Sequence, residues 1–184
     1  MHSLSNNWTC WIHLQNDKNW DISSYKKICQ FNTLEDGIKL IENLSFKIIT
    51  QSMVFLMREN ILPIWENFDN IKGGSFSYKI SNCLIENIWK KLSYCLIGNT
   101  LYNDEKILKN INGISISPKK NFCIIKFWLK DLDSIKENKE ITNFINDFIN
   151  NKIPEINEYS DPFNIHMLCG INKQICIFRK HKEI

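Results

Sequence analysis

The segment LPIWENF, residues 62–68, joins two runs that have the character of β-strands. Residues 53–57 are all apolar, and residues 76–80 alternate between apolar and polar side chains. Pro63 and the glycine pair at 73–74 are residues typical of turns. The sequence therefore predicts a strand, a loop that carries LPIWENF, and a second strand.

Further strands and helices are predicted on both sides of this loop. Residues 8–14 alternate as a strand does, and Thr33, followed by acidic residues, resembles a capping box that opens a helix. Residues 84–97 carry an apolar stripe at helical spacing that ends at Gly98. Two more strands are predicted at 114–118 and 122–129, a third helix at 133–152, and a hairpin at 163–169 and 174–178.

Helices that separate groups of antiparallel strands indicate an α+β fold. In such a fold the helices cover one face of the sheet, and the other face is free to bind a ligand. The length of 184 residues suits a single domain, residues 1–184.

Composition excludes several classes of protein. No apolar run reaches the length of about 18 residues that a membrane span needs, and residues 1–8 do not resemble a signal peptide, so a cytoplasmic location is expected. The seven cysteines are scattered without a C-x-x-C pair, and the four histidines lack metal-ligand spacing. We therefore expect no disulfide framework, no metal and no other cofactor. The net charge of +3 permits an anionic ligand without requiring one.

Two tryptophans lie in polar stretches that are predicted to be loops. Trp20 follows the first strand, and Trp65 lies within LPIWENF. A lone tryptophan belongs to a core more often than to a binding site, but two in loops favour a ligand. Two parallel indoles form a slot for a planar ring, and Glu66 offers two oxygens that match the N1–H and N2 amine of guanine.

Methylation of guanine at N7 makes the ring cationic, which strengthens its stacking on indoles. Lys119 and Lys120 lie in the turn between the strands at 114–118 and 122–129, where they are placed to meet the phosphates of a nucleotide. A solvated turn is the alternative explanation for these lysines. Lys72 is a weaker candidate for the same role.

Five motifs follow one another along nearly the whole chain. They are HSLSNNWTCWIHLQNDKNW (2–20), FNTLEDGIKLIENL (31–44), ILPIWENFDNIKGG (61–74), IWKKLSYCLIGN (88–99) and NGISISPKKNFCIIKFW (112–128). Their residues and their order resemble the eukaryotic initiation factor 4E family, the proteins that bind the cap of messenger RNA.

The resemblance implies a strongly curved antiparallel sheet of about eight strands, with three long helices on its convex face and the cap site on its concave face. The implied base-binding residues are Trp20, Trp65, Glu66 and Trp128. In the family the tryptophans enclose 7-methylguanine, the glutamate binds its Watson–Crick edge, and the last tryptophan approaches the N7 methyl group. Lys119 takes the place of a phosphate-binding arginine, with Lys120 beside it.

The resemblance also implies that a helix of a scaffold or repressor protein binds the helical face. The residues matched to that surface are His2, Leu34, Ile38, Lys91, Tyr94, Ile97 and Gly98. Ile38 occupies the position of a family tryptophan, and Lys91 occupies that of an acidic residue. Reversal of a charge disfavours the ordinary partner motif, Tyr-x-x-x-x-Leu-hydrophobic.

The predicted function is binding of the 7-methylguanosine cap of messenger RNA in translation initiation, without catalysis. The main alternative is a cap-binding competitor or regulator of translation that does not recruit the usual scaffold. A cap-cleaving enzyme is the weaker rival, because the sequence offers no recognisable nucleophile–base pair or metal-bound water. A protein-binding module that has lost its ligand is a further possibility.

Overall fold

An antiparallel sheet of seven strands frames the described part of the protein. The structure is a computed structural model that describes residues 1–101, 104–131 and 176–181. The strands are β1 (Ser3–Leu14), β2 (Lys26–Thr33), β3 (Ser52–Arg58), β4 (Gly74–Ser81), β5 (Ile111–Pro118), β6 (Phe122–Leu129) and β7 (Cys176–Lys180). Their order across the sheet is β2-β1-β3-β5-β6-β4-β7, so β3, β5 and β6 lie in its middle.

Five α-helices and one 3-10 turn connect the strands within these residues. The helices are α1 (Leu34–Asn43), α2 (Phe46–Gln51), α3 (Phe68–Ile71), α4 (Ile85–Ile97) and α5 (Glu105–Asn110), and the turn is Ile22–Ser24. Helices α1 and α4, of 10 and 13 residues, are the longest of them. None of the described helices has the length and apolar character needed to cross a lipid bilayer.

The two long helices begin and end where local side-chain chemistry dictates. Thr33 is the N-cap of α1, and its hydroxyl oxygen accepts a hydrogen bond from the backbone N–H of Asp36 at 3.3 Å. Helix α4 presents a buried apolar stripe to the sheet, and Gly98 is its C-cap residue. Both termini agree with the sequence prediction.

The sheet has two chemically different faces because successive side chains of a strand point to opposite sides. On one face Val54, Ile114 and Phe127 belong to the main core, together with buried residues of α1 and α4. On the other face Phe55 and Trp128 belong to a smaller apolar cluster that contains no residue of these two helices. The second face is therefore left open by α1 and α4.

The α+β class and the antiparallel sheet are confirmed, and several boundaries differ from the prediction. Strand β1 begins at Ser3, and β2 was not predicted, because only Phe31 of its residues is buried and no alternation marks it. Helices α2 and α5 were also missed, since six residues are too few to show a helical period.

Part of the prediction lies outside the described residues. The third helix, at 133–152, and the strand at 163–169 fall there entirely. The strand predicted at 174–178 overlaps β7, which pairs with β4. Seven described strands compare with an expectation of about eight.

Gly73, which precedes β4, lies against the backbone of β6, so a substitution there tests how closely the two segments approach. A Cβ atom at Gly73 would lie 1.7 Å from the carbonyl oxygen of Leu129, which is backbone and cannot rotate away. We expect Gly73→Ala to lower the free energy of unfolding by about 1–3 kcal/mol or more, measured by urea denaturation.

Gly98→Ala is the matched control for this substitution. The backbone φ of Gly98 is −82°, which suits any residue, and the nearest atom to an added Cβ is 3.0 Å away. We expect a change below about 1 kcal/mol there. Equal effects of the two substitutions would contradict the close approach at Gly73.

Candidate functional site

A cavity of about 480 Å³ lies on the sheet face that α1 and α4 leave open. Its floor is built from alternate residues of the middle strands, with Phe55 opposite Ser115 and Ser115 opposite Lys126. Its walls come from the loop after β1 and the loop after β3. The lining residues are Gln15, Trp20, Tyr25, Met53, Phe55, Pro63, Ile64, Trp65, Glu66, Ser115, Ser117, Pro118, Lys119, Lys126 and Trp128.

The cavity brings together most of the residues predicted for the base and phosphate sites. Trp20, Trp65, Glu66, Trp128 and Lys119 all line it, although they come from four different segments of the chain. Lys120 is exposed at the hairpin tip and is not among the lining residues. Lys72, which follows α3, is also exposed and does not line the cavity.

Trp20 is carried by a loop in which polar groups fix the backbone. The carboxylate of Asp17 accepts the N–H of Asn19 at 2.9 Å, and the amide oxygen of Asn19 accepts the N–H of Asp21 at 2.9 Å. The indole between these turns is 56% exposed. It stacks on His13 of β1, with ring centroids 4.5 Å apart and planes inclined by 7°.

Trp65 is carried by a loop that the buried side chain of Asn70 holds from below. The amide nitrogen of Asn70 donates to the carbonyl oxygens of Leu62 and Ile64, each at 2.8 Å. Asn112 of β5 donates to the amide oxygen of Asn70 at 2.9 Å. The indole is 42% exposed, so the loop presents it to the cavity instead of the core.

His181, which follows β7, joins this loop to the edge of the sheet. Its Nδ1 donates to the carbonyl oxygen of Asn70 at 2.7 Å, and its backbone N–H donates to the carbonyl oxygen of Gly73 at 3.1 Å. Its ring stacks on Trp65, with centroids 5.3 Å apart and planes inclined by 13°. Burial lowers the pKa of His181, and Lys126 lowers it further against opposing contributions from Asn70 and Glu66.

Trp128 forms a fixed part of the floor. Only 2% of its surface is exposed, and its Nε1 donates to the hydroxyl oxygen of Ser115 at 2.9 Å. Phe55 packs edge-on against the indole, with centroids 6.2 Å apart. Trp128 is therefore oriented before any ligand arrives.

Tyr25 borders the cavity near Glu66, and sequence reasoning did not identify it. Burial, and after it the negative charge of Glu66, raises the pKa of Tyr25 to about 12. The phenol therefore stays protonated at neutral pH, and it adds a hydrogen-bond donor to the same wall.

Lys126 is the second residue that sequence reasoning missed. Its Nζ lies 5.2 Å from the centroid of the Trp65 ring, and the side chain lines the cavity. The signal that could have found it is its place two residues before Trp128 on β6, because both side chains then share one face of the strand. The site thus contains two cationic side chains, Lys119 and Lys126.

The predicted partner surface lies on the helical side of the protein. The backbone N–H of His2 donates to the carboxylate of Glu35 at 3.0 Å, and the N–H of Leu34 donates to the carbonyl oxygen of His2 at 2.8 Å. The first of these bonds is the main reason why the pKa of Glu35 falls to about 2. Ile38 is 41% exposed on α1, whereas Ile97 is fully buried and supports the surface from beneath.

Charged side chains tie α1 to α4 across this surface. Glu42 of α1 accepts hydrogen bonds from the hydroxyl of Tyr94 and from Lys90, the latter at 2.9 Å. Lys90 also pairs with Glu86 at 3.2 Å. Lys91 is half-buried, and Gly98 is exposed at the end of α4. Glu42 and Glu86 are thus engaged with lysine and tyrosine side chains of the same protein.

The described residues contain no group of histidine, cysteine and carboxylate side chains that could hold a metal ion. The five cysteines described in full are free thiols. Flat aromatic surfaces, a carboxylate and two lysines suit non-covalent binding of a planar, cationic ring that carries negative charges.

Comparisons with known proteins identify the family of the chain. Residues 3–168 match the family described as eukaryotic initiation factor 4E. The chain is 31% identical over 153 residues to eukaryotic translation initiation factor 4E1 of Drosophila melanogaster, covering 79% of this chain and 57% of that protein. It is 27% identical over 141 residues to eukaryotic translation initiation factor 4E of Eremothecium gossypii, covering 71% and 64%. The chain thus spans less than two thirds of either relative.

A solved structure shares the fold. The chain resembles C. elegans eIF4E-3, solved in complex with the 4E-binding protein Mextli and a cap analogue, with a TM-score of 0.70 and 20% identity. The match covers 98% of this chain and 92% of that chain. The family match over most of the sequence, the identity to the fly protein and the common fold point the same way: the chain belongs to the eukaryotic initiation factor 4E family, a family of non-enzymatic, cap-binding translation factors.

Proposed function

We propose that this protein binds the 7-methylguanosine cap of messenger RNA in the cytoplasm and acts in translation initiation. The observation that carries the proposal is the presence of Trp20, Trp65, Glu66 and Trp128 around one cavity. Two half-exposed indoles beside a carboxylate supply both the stacking surfaces and the acceptors that a methylated guanine needs.

The base is recognised through its charge and its edge. Trp20 and Trp65 stack on the two faces of the ring, and the positive charge of N7-methylguanine adds a cation–π attraction to each stack. Glu66 accepts hydrogen bonds from N1–H and the N2 amine, which adenine cannot offer. Trp128, fixed by Ser115, closes the floor where the methyl group lies.

The phosphates are bound by lysine side chains at the cavity. Lys119 lies at the rim of the cavity, and Lys126 rises from the sheet beneath it. Lys120, exposed beside Lys119, adds positive charge at longer range. Lysine is a point charge without the paired donors of arginine. Phosphate binding therefore depends on the summed electrostatic attraction of the lysines more than on directional hydrogen bonds.

Fluorescence titration tests recognition of the base. We expect 7-methyl-GTP to quench tryptophan emission strongly and GTP to quench it little, because only the methylated ring is cationic. Trp65→Ala should weaken binding by about 5- to 150-fold, since one base–aromatic stack contributes roughly 1–3 kcal/mol. Glu66→Gln should abolish retention on a cap resin, because the new N–H₂ group faces a donor.

Phe68→Ala is the matched control, since Phe68 is 81% exposed close to Trp65 and does not line the cavity. It should bind 7-methyl-GTP as the unmodified protein does. Equal quenching by GTP and 7-methyl-GTP in the unmodified protein would exclude the proposed recognition of the base.

Binding of 7-methyl-GTP and of 7-methylguanosine by Lys126→Gln tests the phosphate site. We expect affinity for 7-methyl-GTP to fall by about tenfold, because a hydrogen bond to a charged group contributes about 1.5–3 kcal/mol. Affinity for the nucleoside, which lacks phosphate, should change little. Lys130→Gln, at an exposed position outside the cavity, is the control. An equal loss for both ligands would assign Lys126 to the base instead.

A second candidate function is that of a competitor that occupies caps without recruiting the usual scaffold. The observation that favours it is the helical face, where Lys91 and Ile38 replace family residues and where Glu42 is already paired with Lys90 and Tyr94. A partner helix would meet a lysine where the family offers a carboxylate, and the reversed charge weakens its binding.

A peptide with the Tyr-x-x-x-x-Leu-hydrophobic motif separates the two candidates. If the protein is a competitor, isothermal titration should detect weak binding or none, and Ile38→Trp combined with Lys91→Glu should strengthen it by more than about tenfold. Tight binding of the peptide by the unmodified protein would instead support an initiation factor with the ordinary partner.

A further inference from the structure

Each of the two indoles in the cavity wall carries a histidine ring on one of its faces. His13 stacks on Trp20 with centroids 4.5 Å apart and planes inclined by 7°, and His181 stacks on Trp65 at 5.3 Å and 13°. The two histidines come from distant segments, β1 and the residue after β7. The same histidine–tryptophan stack therefore occurs twice, once in each of the two loops that form the cavity walls.

Each histidine covers one face of its indole. Trp20 and Trp65 both line the cavity, whereas neither histidine does. His13 and His181 are also almost completely buried, with 0% and 1% of their surfaces exposed. Each indole thus has one face packed against a buried ring of the protein.

Hydrogen bonds to backbone carbonyl groups fix the orientation and the tautomer of both rings. Nε2 of His13 lies 2.8 Å from the carbonyl oxygen of Asn19, the residue before Trp20. Nδ1 of His181 lies 2.7 Å from the carbonyl oxygen of Asn70. A carbonyl oxygen can only accept, so these nitrogens carry the protons.

The second nitrogen of each ring is buried without a hydrogen-bond partner among the described residues. In a neutral imidazole the proton is therefore placed on Nε2 of His13 and on Nδ1 of His181.

We propose that His13 and His181 are positioning residues that hold Trp20 and Trp65 at preset angles for the cap base. The inference rests on the proposed function, and it adds residues that act through the stacking tryptophans without touching the ligand. An indole that is half exposed and unsupported would lose rotational freedom on binding. Stacking on a buried ring, which is itself bonded to the backbone, removes most of that freedom in advance.

The proposal is tested by pairs of variants at each histidine, in which one member keeps an aromatic ring and the other does not. His13→Phe and His181→Phe retain an aromatic surface, whereas His13→Leu and His181→Leu do not, and all four lose the hydrogen bond. We expect each Leu variant to bind 7-methyl-GTP about 3- to 10-fold more weakly than its Phe counterpart, the loss of one aromatic contact. Phe46→Leu, at an exposed aromatic residue of α2 that does not line the cavity, should bind as the unmodified protein does.

Circular dichroism and thermal melting establish that the Leu variants are folded. A folded Leu variant that binds as tightly as its Phe counterpart would overturn the positioning role of that histidine. This test compares the affinities of the Leu and Phe variants for 7-methyl-GTP. The proposed function is tested separately, by the preference of the unmodified protein for 7-methyl-GTP over GTP.

A measurement without ligand keeps the proposal testable if the Leu variants do not fold or if cap binding fails. In the unmodified protein labelled with ¹⁵N-histidine, NMR spectra at pH 7.5 should show Nε2–H on His13 and Nδ1–H on His181. Acrylamide should quench the exposed indoles of a folded Leu variant more than those of its Phe counterpart. The opposite tautomer in either ring would overturn the arrangement.

Discussion

The buried side chain of Asn70 is the constraint on which the binding site depends. One amide group ties two carbonyl groups of the LPIWENF loop to Asn112 on the sheet, and the carbonyl of the same residue accepts from His181. A loop that leaves the sheet exposes backbone groups that must find partners, and here they find them in one residue. These bonds fix the backbone of the loop on both sides of Trp65. An aromatic ring held in this way is part of the scaffold even though two fifths of its surface meets solvent.

The middle strands serve the core and the site at the same time. On β6, Phe127 packs into the main core while Lys126 and Trp128, its neighbours on either side, line the cavity. Because the side chains alternate, no strand can shift by one residue without exchanging the two faces. The large core under the helices therefore fixes the register of the binding surface. The same strand places a positive charge, Lys126, in the cavity lining.

Residues that stand out from their neighbours in the sequence were predicted, whereas residues whose role depends on contacts with distant segments were missed. Trp20 and Trp65 were recognised because indoles are conspicuous in polar loops, and all of the predicted base-binding residues border one cavity. Asn70 is one of many asparagines in the chain, and nothing near it indicates that its partner follows 111 residues later. Strand β2 was missed because it lies at the edge of the sheet, where most of its side chains are exposed and no alternation results. Local patterns encode elements well, but they do not encode which elements meet.

The position of His181 in the chain has a consequence for biosynthesis. Its ring is the last part of the site to be translated, since the ribosome adds it after both indoles, the carboxylate and the lysines. At about 5–20 residues per second, the delay between Trp65 and His181 is on the order of ten seconds. During that interval the nascent polypeptide lacks the ring that stacks on Trp65 and the imidazole N–H that bonds to Asn70. The LPIWENF loop can therefore complete its packing only after β7 has been synthesised.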